Sequence, residues 1–312
     1  MRDLSVIIPA RNEMWLTKTV EDILAKKCAD TEVIVILDGY WPEGFDHLYH
    51  HKDVVTVHHT EAIGQRAATN EGARISQARH VMKIDAHCSV DEGFDAKLIE
   101  DCRPDWTMVP SMWNLHAFDW ECIRCGWRDY QANIPPEQCK KCQCVEFNRA
   151  LVWKPRKGRL TVSWRFDDNL QFQYWRKHHR RPECKGDLVE TMSFIGACML
   201  MTRDRYWELE GLDENHGSWG QFGTEIALKS WLSGGKLITT RRTWFAHMFR
   251  TGNFAKGGHS SFPYPLSQEA MERARSYSRD FWFSGRWPKA KHDVSWLVEK
   301  FKPVPDWHKG AK

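Results

Sequence analysis

Short apolar runs alternate with helix-period segments over roughly the first ninety residues, and this constrains the chain more than any other feature. Leu4–Ile8 is a continuous apolar run that stops at Pro9, the pattern of a buried strand. Trp15–Lys27 has helical spacing, Glu32–Leu37 and Val54–His58 repeat the strand pattern, Gln65–Gln77 is dense in helix formers, and His80–Ile84 is a fourth strand. Such alternation implies a largely parallel sheet with right-handed crossovers. Ligands of these sheets bind beyond the carboxyl ends of the strands. Acidic residues stand at those ends: Asp38 beside Gly39, and Asp85 directly after the fourth run.

Asp85-Ala86-His87 is the sharpest local feature. Extended backbone sends residues i and i+2 to the same side, so the carboxylate and the imidazole can face one cation. That donor pair suits manganese better than magnesium. A cation there would bridge two phosphates and stabilise a departing nucleotide. The bland alternative is an exposed Asp and His in a turn.

A chain of 312 residues, 42% hydrophobic, can bury a substantial core. The net charge of +4 requires no polyanionic partner, but permits one where basic residues cluster. No run approaches the ~20 apolar residues of a membrane span. Leu4–Pro9 is too short for a signal peptide and runs into Arg11-Asn12-Glu13, so a cytoplasmic, reducing location is expected. There the ten cysteines point to metal or packing before disulfides. Four are patterned: Cys122-x-x-Cys125, then Cys139-x-x-Cys142 after thirteen residues, which is zinc-ribbon spacing. Four thiolates close a tetrahedral site, so this zinc would be structural; Gly126 helps the first knuckle turn, and Cys144 is a spare. The alternative of coincidental core cysteines suits this polar segment poorly. Cys28, Cys88, Cys102, Cys184 and Cys198 are scattered and read as packing.

Beyond the cysteines lie two basic clusters, Lys154-Pro155-Arg156-Lys157-Gly158-Arg159 and Arg176–Arg181, with aromatics interleaved in Trp164-Arg165-Phe166 and Phe172-Gln173-Tyr174-Trp175-Arg176. Basic plus aromatic suits a nucleic-acid strand; a solvated basic face over aromatic core residues is the other reading. Order returns with the apolar run Ser193–Met201, helices over Arg203–Glu210 and Glu225–Leu232, and a strand at Lys236–Thr240. Thr251–Pro265 reads as a mobile loop and Leu266–Asp280 as a C-terminal helix.

Several of these motifs, in this order, resemble the family 2 type of GT-A glycosyltransferases, and among them the catalytic domain of the polypeptide N-acetylgalactosaminyltransferases. Val6-Ile7-Ile8-Pro9-Ala10-Arg11-Asn12-Glu13 is similar to their first strand and nucleotide loop, and Lys83-Ile84-Asp85-Ala86-His87-Cys88 to their metal motif. Trp219-Gly220, Trp231 twelve residues later, Gly234-Gly235 and Ala246-His247-Met248-Phe249-Arg250 follow the family's order and spacing. The resemblance covers residues 4–90 and 190–255. It implies a nucleotide site that includes Pro9, Ala10, Asn12, Glu13, Asp38 (accepting from uracil), Arg66, Asn70 and Trp219. It implies metal ligation by Asp85, His87 and His247, Arg250 near the diphosphate, and Gly196-Ala197 lining the sugar pocket. Where the family has a Glu-Asn pair, this chain has Phe222-Gly223. Glu225 is the nearest carboxylate and is the candidate in that region, against a plain helix-start charge. Retention of anomeric configuration is implied, and the leaving phosphate can then take the acceptor proton.

The expected fold is thus α/β of GT-A type: a Rossmann-like nucleotide-sugar-binding mixed sheet flanked by helices, with an inserted zinc-ribbon-like segment. The expected divisions are a nucleotide-sugar half over 1–110, the zinc-ribbon insertion over 120–146, an acceptor half over 147–265 and a C-terminal helix and tail over 266–312. The expected activity is metal-dependent transfer of a sugar from a UDP-sugar to a hydroxyl, using Mn2+ or Mg2+ besides the structural zinc. The acceptor expected from the basic–aromatic stretch is a hydroxymethylated base in DNA. A protein or glycan hydroxyl, or a non-catalytic zinc-ribbon nucleic-acid-binding role on the same fold, are the alternatives.

Overall fold

The computed structural model describes all residues apart from 133, 218–219, 250–266 and 308–312, and the side chains of 158–161. The first half alternates as its apolar runs dictate: β1 (Leu4–Ala10), α1 (Leu16–Lys26), β2 (Thr31–Asp38), a short α2 (Asp46–Tyr49), β3 (Val54–His59), α3 (Gln65–Ile75), β4 (His80–Ile84), β5 (Cys88–Val90) and α4 (Phe94–Asp101). Then come β6 (Trp106–Cys122), β7 (Arg128–Tyr130), β8 (Phe147–Thr161), β9 (Trp164–Phe166), β10 (Phe172–Tyr174), β11 (Leu188–Glu190), β12 (Cys198–Thr202), α5 (Arg203–Glu208), α6 (Phe222–Leu232), β13 (Lys236–His247), α7 (Gln268–Phe283) and α8 (Val294–Lys300).

The main sheet runs in the order β11-β13-β6-β12-β4-β1-β2-β3. Strands β3, β2, β1 and β4 are parallel, as βαβ units require. β12 runs antiparallel to β4 and β6, while β6 and β13 pair in parallel, so the sheet is mixed. All eleven residues of α6 are buried, its Glu225 and Lys229 paired with each other. Among the described residues no helix is long and apolar enough to cross a membrane.

β6 has 17 residues and outruns its neighbours in the sheet. Its second half leaves the main body as an arm, with β8 antiparallel along it and β7 paired to its tip. The cysteine segment joins these strands at the far end. The β6–β8 register shifts between His116 and Phe118. There the Gln131 side chain donates to Leu115 O (2.8 Å) and accepts from Ala117 N (2.6 Å), replacing ladder bonds that the bulge removes. The arm is rooted by a second apolar cluster of Trp15, Leu115, Ala117, Phe118, Trp120, Ala246 and Met248, separate from the main core. Trp15 and Phe118 stack at 5.5 Å.

Candidate active site

β4 ends at Ile84, and Asp85 N donates to Ala197 O (2.9 Å), so the strand delivers Asp85 beside the Gly196-Ala197 turn. His87 follows two residues on. His247 arrives from the end of β13, which pairs with β5 so that His247 faces Cys88 in register. One donor atom from each of Asp85, His87 and His247 lies within 4.8 Å of the others. The sequence-predicted ligand set is therefore assembled by three strand ends that meet at one edge of the sheet.

The donor chemistry fits a cation. The two Nε2 atoms of His87 and His247 face each other at 3.0 Å, and His247 Nε2 lies 3.3 Å from Asp85 Oδ2. Two imidazole nitrogens and a carboxylate oxygen turned to one point form a borderline N/O set. Burial pushes His247 down to about 4, which keeps its ring neutral and able to ligate at neutral pH. For Asp85, burial raises the pKa, but Lys83, His247 and His87 outweigh it and hold the carboxyl well below its usual range. On the other side of His87, Nδ1 lies 3.0 Å from Oε2 of Glu13. Glu13 Oε1 in turn accepts from Trp15 N at 3.2 Å. A carboxylate behind a ligating imidazole fixes its tautomer and raises its basicity. Glu13 was expected at the nucleotide; the structure places its carboxylate behind His87.

Lys83 is a component that sequence reasoning passed over. It is buried, pairs with Asp85, donates to Gly196 O at 2.9 Å and sits 4.6 Å from the centre of the Phe222 ring. It shares a face with Asp85 two residues on, the one signal that could have found it. Gly196 has φ +87°, and a Cβ there would lie 2.7 Å from Gly223 N. A Cβ on Gly223 would lie 2.4 Å from Phe194 O. The Phe222-Gly223 departure is thus part of a tight backbone crossing at the pocket wall, with an aromatic ring over a buried ammonium.

Three expected site residues lie in the core instead. Arg66 Nε meets Glu225 Oε2 at 3.0 Å, and its other nitrogens donate to Gly217 O (2.8 Å) and Gly220 O (2.7 Å). Asn70 donates to Leu212 O and accepts from Tyr206 Oη and Leu212 N. Glu225 is fully buried, accepts from Asp213 N (2.6 Å) and pairs with Lys229 (2.9 Å) as well as Arg66. Burial raises the Glu225 pKa, but Lys229 and Arg66 outweigh it and lower it. The catalytic expectation for Glu225 is therefore corrected: its oxygens are taken up by Asp213 N, Arg66 and Lys229, and it is not part of the Asp85, His87 and His247 cluster. Arg66 and Asp38 are similarly turned to loop building, Asp38 accepting from the backbone N of Ile63 and Gly64 at the start of α3. Pro9 and Ala10 end β1, and Asn12 follows with φ 49°. Trp219, Arg250 and the loop 251–265 lie outside the described residues.

Around the arm, Cys122, Cys125, Cys139 and Cys142 converge, with one donor atom from each within 4.8 Å of the rest. Sγ–Sγ separations of 3.6 Å (Cys122–Cys142) and 3.5 Å (Cys125–Cys139) rule out disulfides. They are near the ~3.8 Å edge of a tetrahedron with 2.3 Å zinc–sulfur bonds. Of the scattered cysteines Cys88, Cys102, Cys184 and Cys198 are buried as expected, whereas Cys28 is exposed. The basic–aromatic stretch divides on folding. Trp164, Phe166 and Trp175 enter the core, Arg181 donates to Phe301 O and Pro303 O, and Arg165 pairs with Asp306. Those residues anchor the C-terminal segment rather than offer a stacking track.

Residues 5–111 match the profile of glycosyl transferase family 2. Polypeptide N-acetylgalactosaminyltransferase 6 of Bos taurus is 24% identical over 293 residues, covering 90% of this chain and 42% of its own length. Polypeptide N-acetylgalactosaminyltransferase 3 of Homo sapiens is 23% identical over 291 residues, covering 89% and 40%. The chain thus spans about two fifths of the curated relatives it matches. Among solved structures, GalNAc-T7 with UDP, GalNAc and Mn2+ superposes with a TM-score of 0.62 at 18% identity, over 96% of this chain and 56% of that one. Over residues 5–111 the chain is similar to glycosyl transferase family 2, its fold is of the GT-A type, and along most of its length it is similar to the polypeptide N-acetylgalactosaminyltransferases.

Proposed function

We propose that this chain transfers a sugar from a UDP-sugar to a hydroxyl group of a protein or glycan, using a divalent cation held by Asp85, His87 and His247. The observation that carries the proposal is the convergence of those three donors at the carboxyl ends of the strands. The solved relative that holds UDP and Mn2+ supports the donor and the metal, and the names of the curated relatives support the acceptor class. A non-catalytic nucleic-acid-binding role leaves the convergence without a purpose. A modified base in DNA has lost much of its support, since Trp164, Phe166 and Trp175 are buried and only Phe172 and Tyr174 of those aromatics stay exposed.

The cation, when bound, would neutralise the diphosphate of the leaving nucleotide. The chain's own residues prepare the place for it. Asp85 stays ionised under Lys83, His247 stays neutral by burial, and Glu13 sets its carboxylate 3.0 Å from His87 Nδ1. Gly196 packs against the Gly223 backbone, where no side chain fits, and Ala197 O accepts from Asp85 N, so this turn is held beside the ligand cluster. Glu13 and Glu225 are engaged with the protein, which favours a retaining, front-face transfer in which the departing phosphate takes the acceptor proton. We also propose that the four arm cysteines hold a structural zinc, a closed thiolate set with no position left for chemistry.

The test is a screen of UDP-sugars for UDP release with manganese and with chelator, followed by mass spectrometry of the product. Metal-dependent UDP release is expected with at least one sugar. No release from any of them would overturn the reading.

A further inference from the structure

We propose that Lys154 and Arg156 form an anion subsite beside the metal-ligand cluster, which selects acceptor peptides carrying a carboxylate near the hydroxyl; this rests on the protein-hydroxyl reading above. Strand register supplies the placement. His247 on β13 pairs with Asn114 on β6, Asn114 pairs with Arg156 on β8, and His116 pairs with Lys154. Registered neighbours share a face of a sheet, as do residues i and i+2 of one strand. His247, Asn114, His116, Lys154 and Arg156 therefore stand on one face, with Arg156 about two strand spacings, ~10 Å, from the metal ligand.

Arg156 is exposed yet held in place. One of its nitrogens donates to Nδ1 of His116, and its guanidinium lies 5.4 Å from the centre of the Tyr130 ring. Arg has no acceptor atom, so Nδ1 of His116 must accept and the ring proton sits on Nε2. That proton points at Asp119 Oδ1, 2.6 Å away. His116 is buried and its ring lies 4.6 Å from that of Tyr130, tilted by 44°; Tyr130 Oη accepts from Asn114 Nδ2 at 2.8 Å. The pair Asp119–His116 thus fixes the guanidinium, leaving its other N–H groups for a ligand. A pre-set fork loses little freedom on meeting a carboxylate, which it can bind bidentately.

Charge along the strand agrees. From Phe147 to Thr161 there is no acidic residue, while Arg149, Lys154, Arg156 and Lys157 are all exposed. Basic side chains on an outer strand can serve merely to deter edge-to-edge association. That purpose needs charge alone, and gives no reason for a buried His–Asp pair to hold one guanidinium in a set direction. An extended peptide advances ~3.3 Å per residue. With its hydroxyl at the metal cluster, a carboxylate about three residues away would reach Arg156.

The test is fluorescence anisotropy on the full chain, with serine/threonine peptides that carry Asp, Asn or Lys three residues from the hydroxyl, and with a uronic-acid oligosaccharide. The Asp peptide is expected to bind roughly tenfold tighter than the Asn peptide, as one added charge-assisted contact allows. The Lys peptide is expected to bind weakest. The double variant Lys154→Gln/Arg156→Gln should abolish the Asp-over-Asn ratio. Arg156→Lys, which keeps the charge and loses the fork, should reduce the ratio without abolishing it. Equal binding of Asp and Asn peptides, a ratio that survives in the double variant, or tighter binding of the oligosaccharide than of any peptide would overturn the proposal. Donor chemistry is read separately as UDP release, so failure there strikes the proposed function and leaves these binding results to decide the subsite.

Discussion

The two ligand clusters of this molecule are built in opposite ways. Asp85, His87 and His247 come from strand ends up to 162 residues apart, and they meet only when β4, β5 and β13 take their places in one sheet. The four thiols come from two turns 20 residues apart or less, at the tip of an arm. The first set has three donors of mixed type, which leaves positions for a diphosphate. The second has four of one type, which fills a tetrahedron. A cluster that depends on the whole fold can act on a ligand and be tuned by distant residues; one that depends on two turns can only fold its own neighbourhood. Losses at the first should appear in chemistry, and losses at the second in local order.

The largest effect is expected at the strand-end cluster. Asp85→Ala or His87→Ala should lower metal-dependent UDP-sugar turnover by about a thousandfold, the scale of a lost electrostatic element at a reacting centre. The circular dichroism spectrum should be unchanged. Turnover at the wild-type rate in both variants would remove the site from this place. Next comes Glu225, the carboxylate that sequence position put forward for chemistry. Glu225→Ala leaves Arg66 and Lys229 buried without their partner and should cost about 3–5 kcal/mol, measured by urea unfolding. The pH dependence carries its own sign. A carboxyl whose folded pKa is lowered adds stability that is present above its unfolded pKa of about 4.3 and lost as pH falls through the folded value. Glu225→Gln should therefore flatten the acid side of the stability curve. Full stability combined with lost turnover in this variant would restore the catalytic reading.

At the arm the effect should stay local. Purified protein is expected to contain one zinc per chain, lost in Cys122→Ser or Cys139→Ser, with new proteolytic cuts within residues 120–146. UDP release should persist, because the arm is rooted by Trp15, Phe118 and their neighbours rather than by the thiols. A loss of UDP release as steep as that of Asp85→Ala would show that the two clusters are coupled.

How far the sequence could be read follows the same division. The parallel strands β1, β2 and β4 were visible as apolar runs because burial on both faces leaves no polar alternation, and β4 was found with its observed ends. The thiol cluster was visible because its spacing is short. The length of β6 was not, since Trp106–Cys122 mixes core, bulge and arm and keeps no single period. Nor were the partners of Arg66 and Asn70, whose contacts lie 136 or more residues away. The interleaved aromatics looked like a stacking track because exposure is invisible along a chain. Trp164 and Trp175 are in fact core, while Phe172 and Tyr174 remain exposed.

The smallest effect, and the one that tests the comparison most finely, concerns Glu13. By resemblance it belongs to the nucleotide loop; by geometry its carboxylate lies 3.0 Å from His87 Nδ1 and also accepts from Trp15 N. An outer carboxylate on a ligating histidine is worth about 10–100-fold in metal affinity. Glu13→Gln keeps the shape and an oxygen for Trp15 N but removes the charge facing the imidazole. Manganese titration followed by electron paramagnetic resonance should show affinity reduced about tenfold, the low end of that range, because the amide still accepts a hydrogen bond. UDP affinity measured without metal should not change. The opposite split, with weakened metal-free UDP binding and intact manganese affinity, would return Glu13 to the nucleotide. It would also mean that His87 is oriented by something other than the strand-end geometry that separates this cluster from the thiols.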